Sequence, residues 1–504
     1  MNTYNPLFIS SYHTHACNKE TELPENVCKD LDVDDVFSAM DFTSSCIGQQ
    51  YLYHILHQDE PSIIRKYEGL INKLNEDKEL RKRLSKVLTQ TSNPDAYYIT
   101  SLFSNSISTP SKYKLTGLSI CRFIPFILAG FIFITHHVSF IFLLIGAFII
   151  NLLLHYQNKK NIYQYYHSIP QVLRLIKQAE EIVKEPLSAT IDPSINETLT
   201  EIRPLKPRLR FFKLSVRMDS DMAIIIYGLV EIIHIFFLTE AYSIHKALAA
   251  LSQKKELIEK IFRFVGFTDI LCSVSLLREQ FPYYCVPTSP MCGEKLRVDA
   301  IYHPLISNAT SNDLLLYEKS FLVTGSNMSG KTCFIRTIGI NLLCAKVLNT
   351  CFARHFAMEL DTRIFSSIHN ADSLQEGKSY FLQETAQIKR MIDRITKSPS
   401  LFLLDEPFKG TNTQERIAIC RAVLSAMAKN GNTVLASTHD IELCTHLQEQ
   451  YEQYYFCETI EENQLLFDYQ LKKGISTQRN AIKILEINNY PEEIVKNANL
   501  YSIP

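Results

Sequence analysis

Five side chains in the carboxy-terminal half of this 504-residue chain could handle a phosphate together: Lys331, Thr332, Asp405, Glu406 and His439. Lys331 and Thr332 close the run Gly325-Ser326-Asn327-Met328-Ser329-Gly330-Lys331-Thr332, which fits G-x-x-x-x-G-K-[ST] at every fixed position. Glycines let successive backbone N–H groups turn toward one anion. The lysine can then reach the β- and γ-phosphates, and the threonine hydroxyl can ligate Mg²⁺. Asp405 and Glu406 end the apolar run Ser400–Glu406, SLFLLDE. Asp405 is placed to hold Mg²⁺ directly or through water, and Glu406 to act as general base on an attacking water. His439 ends a second apolar run, TVLASTHD, where it could hydrogen-bond a γ-phosphate or that water.

The elements that must position these groups follow from their neighbours. Phe321–Thr324 is a short apolar strand, and the sequence after Gly330 is helical, so the loop opens onto a helix N-terminus that favours an anion. Strands alternating with helices predict a largely parallel sheet, with the site at the strands' carboxy-terminal ends.

Apolar residues make up 46% of the chain, enough for sizeable cores, and the length suits two to four domains. A net charge of −1 excludes a uniformly basic nucleic-acid binder while leaving room for a local basic patch. The 13 cysteines are scattered and include no C-x-x-C pair, which fits reduced thiols in a cytosolic compartment.

Residues 1–29 read as a polar arm. From Leu31, apolar residues recur at helical spacing, and a helical region is expected over 30–111. Phe123–Leu154 has no charged residue apart from the ionisable His136 and His137. As one helix it would be about 48 Å long, against a hydrocarbon core of about 30 Å. Two legs turning at Thr135-His136-His137 fit better, and a transmembrane hairpin is expected over 115–155. Lys112, Lys114 and Arg122 precede it and Lys159 and Lys160 follow it, so both ends belong on the cytoplasmic side. The chain would then sit in the cytoplasmic membrane with its nucleotide site facing the cytoplasm. Helical sequence resumes over 156–290. Within it, Arg203–Arg217 holds six basic residues and no acidic one, suited to a solvated loop, anionic headgroups or nucleic-acid phosphates. A third apolar run, Met222–Leu238, is expected to be a buried core helix, because a third span would put the phosphate loop outside the cell.

With these pieces in place, the chain resembles the MutS family of DNA mismatch-repair ATPases. TGSNMSGKT is similar to the family's TGPNMGGKST, with Ser326 in place of proline and Ser329 in place of one glycine. LFLLDEPFKGTN resembles LVLLDExGRGTS, and LASTHD resembles the family's histidine segment. Gly377–Glu384, GKSYFLQE, resembles G-x-S-T-F-M-x-E, and His303-Pro304 matches a dipeptide ahead of the loop. Leu31–Leu56 and the tail from Gly474 resemble the family more loosely.

The resemblance implies a helical core and lever domain joined to an α/β P-loop ATPase domain over 291–504 of the kind shared with ABC proteins. It implies ATP and Mg²⁺, a homodimer formed through the ATPase domains, and DNA as a ligand. It also implies that Ser379 reaches the nucleotide of the partner subunit. No mismatch-reading domain is expected ahead of residue 30, and the one F-x-E triplet, Phe456-Cys457-Glu458, falls in the ATPase part. The expectation is therefore a membrane-anchored, MutS-like ATPase without the mismatch-recognition domain. The alternative is an ABC-like transport or signalling ATPase with no role on DNA.

Overall fold

The computed structural model describes residues 6–501 apart from 62, 105–111, 167, 210–227, 229–230, 327, 369–379, 395–398, 462–463, 476–480 and 489. The chain divides into two units, one of residues 1–17, 41–54 and 69–276, the other of 18–40, 55–68 and 277–504. This differs from the boundaries expected at 30 and 291. Segments 18–40 and 55–68 fold with the carboxy-terminal unit because their polar groups are used there. Asp30 accepts from Ser366 Oγ at 2.6 Å, and Asp59 pairs with the buried Lys346 at 2.5 Å. The polar arm is also corrected: Pro6–Ile9, Ser11–Ala16 and Glu25–Asp30 are helical, and Ile9, Tyr12, Leu23 and Val27 are buried. Sparse apolar residues anchor this segment even though its average composition is polar.

In the described residues, the amino-terminal unit is helical. Ser168–Ile182 buries Ile169, Val172, Leu175, Ile176, Ala179 and Ile182, a stripe at three- and four-residue spacing. Asp269 is fully buried and accepts from the backbone N–H groups of Ser44 and Ser45, both at 2.9 Å, at the start of the helix Cys46–Leu56. That helix must carry glycine at 48, where a Cβ would come within 2.2 Å of the Asp269 carboxylate.

Two long helices follow, α1 (Lys112–Thr135) and α2 (Ser139–Tyr166), turning over residues 136–138 as the sequence predicts. Thr116–Thr135 and Ser139–Gln157 are long and apolar enough to cross a membrane, and only 11% of each window is buried. Of the third apolar run, residues 228 and 231–238 are described. Ile235 and Leu238 are buried, but Ile232 and Ile233 are each 52% exposed, so the described part is not the buried core helix expected. Two further helices, α3 (Thr239–Gln253) and α4 (Lys255–Gln280), complete the helical sequence.

The carboxy-terminal unit is built on a mixed sheet. Strands β1 (Leu296–Ile301), β2 (Asn312–Leu316) and β4 (His355–Ala357) form a small antiparallel sheet in the order β2-β1-β4. The main sheet contains β3 (Ser320–Thr324), β5 (Arg363–Ser367), β6 (Ser400–Asp405), β7 (Thr433–Ser437), β8 (Tyr451–Tyr455) and β11 (Lys472–Lys473), in the order β11-β8-β3-β7-β6-β5. Its neighbours are parallel except β11, which runs antiparallel to β8. β9 (Glu458–Glu461) and β10 (Gln464–Phe467) make a separate hairpin. β3 and β7 are buried at every position and β6 at all but the last, as central parallel strands covered on both faces must be. The covering helices include α5 (Lys331–Leu348), α6 (Tyr380–Asp393) and α7 (Thr413–Met427). The order β3-β7-β6 is what positions the site. Ser437 pairs in register with both Val323 and Asp405, so three strand ends meet at one edge.

Candidate functional site at the strand ends

The loop Gly325–Gly330 leaves β3 and delivers the chain into α5. Two of its glycines are required by the backbone. Gly325 has φ +147° and Gly330 has φ +107°, in the region that favours glycine. A Cβ on Gly325 would also lie 2.6 Å from the Phe456 carbonyl oxygen. Lys331 is almost wholly buried, and its Nζ donates to the carbonyls of Gly325 and Ser326, each at 2.8 Å. Burial lowers its pKa, while Glu406 and Asp405 oppose that shift. The ammonium thus closes the loop on itself and is held by groups that an anionic ligand could replace. Met328 stands 83% exposed at the loop's tip, with φ +70°.

The acidic edge faces this loop. Asp405 accepts from Thr332 Oγ1 at 2.9 Å through one oxygen and from Ser437 Oγ at 2.5 Å through the other. Glu406 turns off the strand end with φ +46°, and its N–H donates to Ser437 Oγ at 3.0 Å. Its carboxylate is paired with His439 Nε2 and, at 2.9 Å, with Lys409 Nζ. Burial acts to raise the Glu406 carboxyl, but the hydrogen bonds and charges of His439 and Lys409 outweigh it and bring it down to about 2. Glu406 is therefore ionised at neutral pH. Arg416 on α7 holds Asp440, the residue after His439, through two bonds of 2.8 Å, which fixes the turn carrying the histidine.

A cavity of about 740 Å³ opens beside the loop, lined among others by Ile301, His303, Lys331, Asp405, Glu406 and Tyr469. The expected site residues Lys331, Thr332, Asp405, Glu406 and His439 are thus brought together. Asn327 and Ser379 lie outside the described residues. Sequence reading missed three participants. Glu458, part of the F-x-E triplet, accepts from Ser326 Oγ at 2.6 Å, and Phe456 supplies the carbonyl beside Gly325. Tyr469 comes over Gly330, held by Asn312, whose amide donates to the Tyr469 carbonyl at 3.0 Å. Their only linear signal is that they follow β8, whose pairing with β3 carries them to the loop. His303 also lines the cavity, and burial followed by the charge of Arg336 lowers its pKa to about 4, leaving it neutral.

Glu384, the last residue of GKSYFLQE, sits on α6 and is 1% exposed. Its Oε1 accepts from the N–H of Phe408 at 2.9 Å, tying α6 to the turn that follows Glu406. Burial pushes its carboxyl up to about 7, against the smaller opposing effect of the Phe408 bond. The unfolded chain therefore gives up this proton near 4.5, while the folded chain keeps it to about 7. Stability from this group falls as pH rises through that window. Glu384→Gln keeps the acceptor and removes the titration, so its urea-unfolding free energy should be flatter between pH 5 and 8. At pH 8 it should exceed that of the native chain by up to about 3 kcal/mol. An unchanged pH slope would show that Glu384 is already ionised in the fold.

Comparison with known proteins matches residues 321–502 to the family model MutS domain V. A DNA mismatch repair protein MutS of Thermus thermophilus is 28% identical over 249 residues, 49% of this chain and 30% of that protein. Endonuclease MutS2 of Thermus thermophilus is 28% identical over 273 residues, 52% of this chain and 35% of that protein. DNA mismatch repair protein MutS of Thermotoga petrophila is 29% identical over 254 residues, 48% and 31% of the two chains. The alignments therefore span about a third of the length of these curated relatives.

Proposed function

The chain belongs to the MutS family through its carboxy-terminal domain, and on that premise we propose that it is a membrane-anchored P-loop ATPase whose nucleotide cycle switches a dimer. The observation that carries the reading is the convergence of Lys331, Thr332, Asp405, Glu406 and His439 on one sheet edge. ATP is the substrate these groups suit. Its phosphates would take Lys331 from the carbonyls of Gly325 and Ser326, joined by the loop's N–H groups and the start of α5. The residues also fit a divalent cation: Thr332 and Asp405 are both oxygen ligands, already 2.9 Å apart. Mg²⁺ held there would neutralise charge on the phosphates. Glu406, ionised and oriented by His439 and Lys409, would accept the proton of the attacking water.

The dimer belongs to the same proposal, with Ser379 completing the partner's site. On this reading ATP raises the solution mass from 58.0 kDa toward twice that value. Ser379→Ala should retain nucleotide binding to the single chain but lose most turnover. Full turnover in that variant would remove the trans role.

The hairpin α1–α2 supplies the anchor. Phe133, Ile134, Phe142 and Leu153 are all at least two-thirds exposed, and the two apolar windows match the length of a bilayer span. With two crossings, the basic flanks keep both units on the cytoplasmic face. DNA enters as a partner from the relatives' names, and Arg203–Arg217 is the stretch to neutralise when duplex binding is measured against salt.

A further inference from the structure

Residues 231–253 pack against the hairpin in a way that fits neither a soluble helix nor a third span. At its entry, Glu231 pairs with the buried His155 at 3.1 Å. His155 lies two residues before Gln157, the end of the second apolar window. Further along, Phe236 packs on Phe148 with ring centroids 5.4 Å apart, and Phe237 stacks on Phe126 at 4.3 Å. Phe126 and Phe148 stand at the middles of the two windows Thr116–Thr135 and Ser139–Gln157. At 1.5 Å per residue each lies about 14 Å from either end of its window, which is the mid-plane of a hydrocarbon core of about 30 Å. The chain then reverses. Leu238 has φ +44°, α3 begins at Thr239, and Tyr242 on α3 lies under the Arg122 guanidinium, 5.4 Å from the ring centroid and nearer the Thr116 end of α1 than Phe126 is.

A turn at that depth is tolerated only if protein satisfies its polar groups. Three contacts supply such partners at the turn. Asn151, 2% exposed, donates its side-chain amide to the Phe236 carbonyl at 2.8 Å. The Leu238 carbonyl accepts from Tyr242 N–H at 3.0 Å, and His234 Nδ1 and Thr239 Oγ1 lie 2.6 Å apart. Leu238 itself has no exposed surface, while Ile232 and Ile233 are each 52% exposed.

The geometry points to a re-entrant wedge: residues 231–253 enter the cytoplasmic leaflet beside the hairpin, turn at mid-depth at Leu238–Thr239, and leave on the same side, with Ile232 and Ile233 against lipid hydrocarbon. The inference rests on the anchor reading above and deepens it. A wedge that returns adds buried apolar surface without adding a crossing, so the nucleotide site keeps its side.

The chain has no tryptophan, so one introduced tryptophan reports alone. Full-length Ile149→Trp, Phe237→Trp and Ile233→Trp variants, each checked for ATP turnover, are reconstituted into phosphatidylcholine vesicles. The lipid is brominated either near the headgroup end of the acyl chains or near their termini. Ile149→Trp, at mid-window on α2 and half exposed, should lose most emission to the deep bromines. Phe237→Trp should follow it, and Ile233→Trp should be quenched more by the shallow set. Quenching of Ile149→Trp without quenching of Phe237→Trp, or quenching of Phe237→Trp by shallow bromines alone, overturns the wedge and leaves the anchor standing. No quenching of any of the three overturns the anchor, and the wedge with it.

Discussion

Glu406→Gln should lower steady-state ATP turnover by about 10²- to 10⁴-fold, the range that a positioned general base supplies. The replacement keeps the volume of the side chain and removes the charge that the proposed base requires. The native carboxyl, at about 2, is fully ionised at neutral pH, so no protonation step limits it there. Its ties to His439 and Lys409 hold it at the strand end next to Asp405. Lys331, Thr332 and Asp405 are untouched by the change, so Mg²⁺-nucleotide affinity should stay within a few-fold of native, read by fluorescent-nucleotide titration. The variant should therefore accumulate in the ATP-bound dimer. Turnover within threefold of native would move the base elsewhere, and loss of affinity together with turnover would make Glu406 a structural residue.

Replacing Phe123–Leu154 with a short Gly/Ser linker should convert a chain that needs detergent into one that stays in the soluble fraction. The hairpin exposes many large apolar side chains, among them Phe123, Phe126, Phe133, Ile134, Phe142, Ile150 and Leu153, all more than half exposed. Each is worth about 1.5–3 kcal/mol when withdrawn from water, which is the free energy the proposed anchor would draw on. Ultracentrifugation of cell lysate with and without detergent reads the result. ATP affinity of the linker variant checks that the carboxy-terminal unit, which the hairpin is no part of, has kept its fold. Recovery of the native chain in the detergent-free supernatant would sink the anchor and return the apolar faces to a protein partner.

The local pieces of the site were legible in the linear sequence because each is a short-range pattern. A glycine-bounded loop between an apolar strand and a helix, and acids or a histidine closing apolar strands, declare themselves within about ten residues. The helical hairpin declared itself the same way, through length and the absence of charge, with its turn read at 135–137 and found at 136–138. Backbone geometry and hydrophobic burial act locally there, so residue type and spacing were enough.

Tertiary structure alone decided the rest, because it rests on pairings between residues far apart in the chain. Strand order β3-β7-β6 set Ser437 between the loop and the acids, and β8 beside β3 brought Phe456, Glu458 and Tyr469 to the loop after β3. Glu384 stands in the sequence only as the end of the GKSYFLQE run, and its contact with Phe408 and its burial are visible only in the fold. The amino-terminal segment read as an arm because its average polarity hid four apolar anchors, and 231–238 read as core because hydrophobicity does not say what lies opposite. Residue chemistry determined which reactions this chain could attempt; register and burial determined which residues face one another to attempt them.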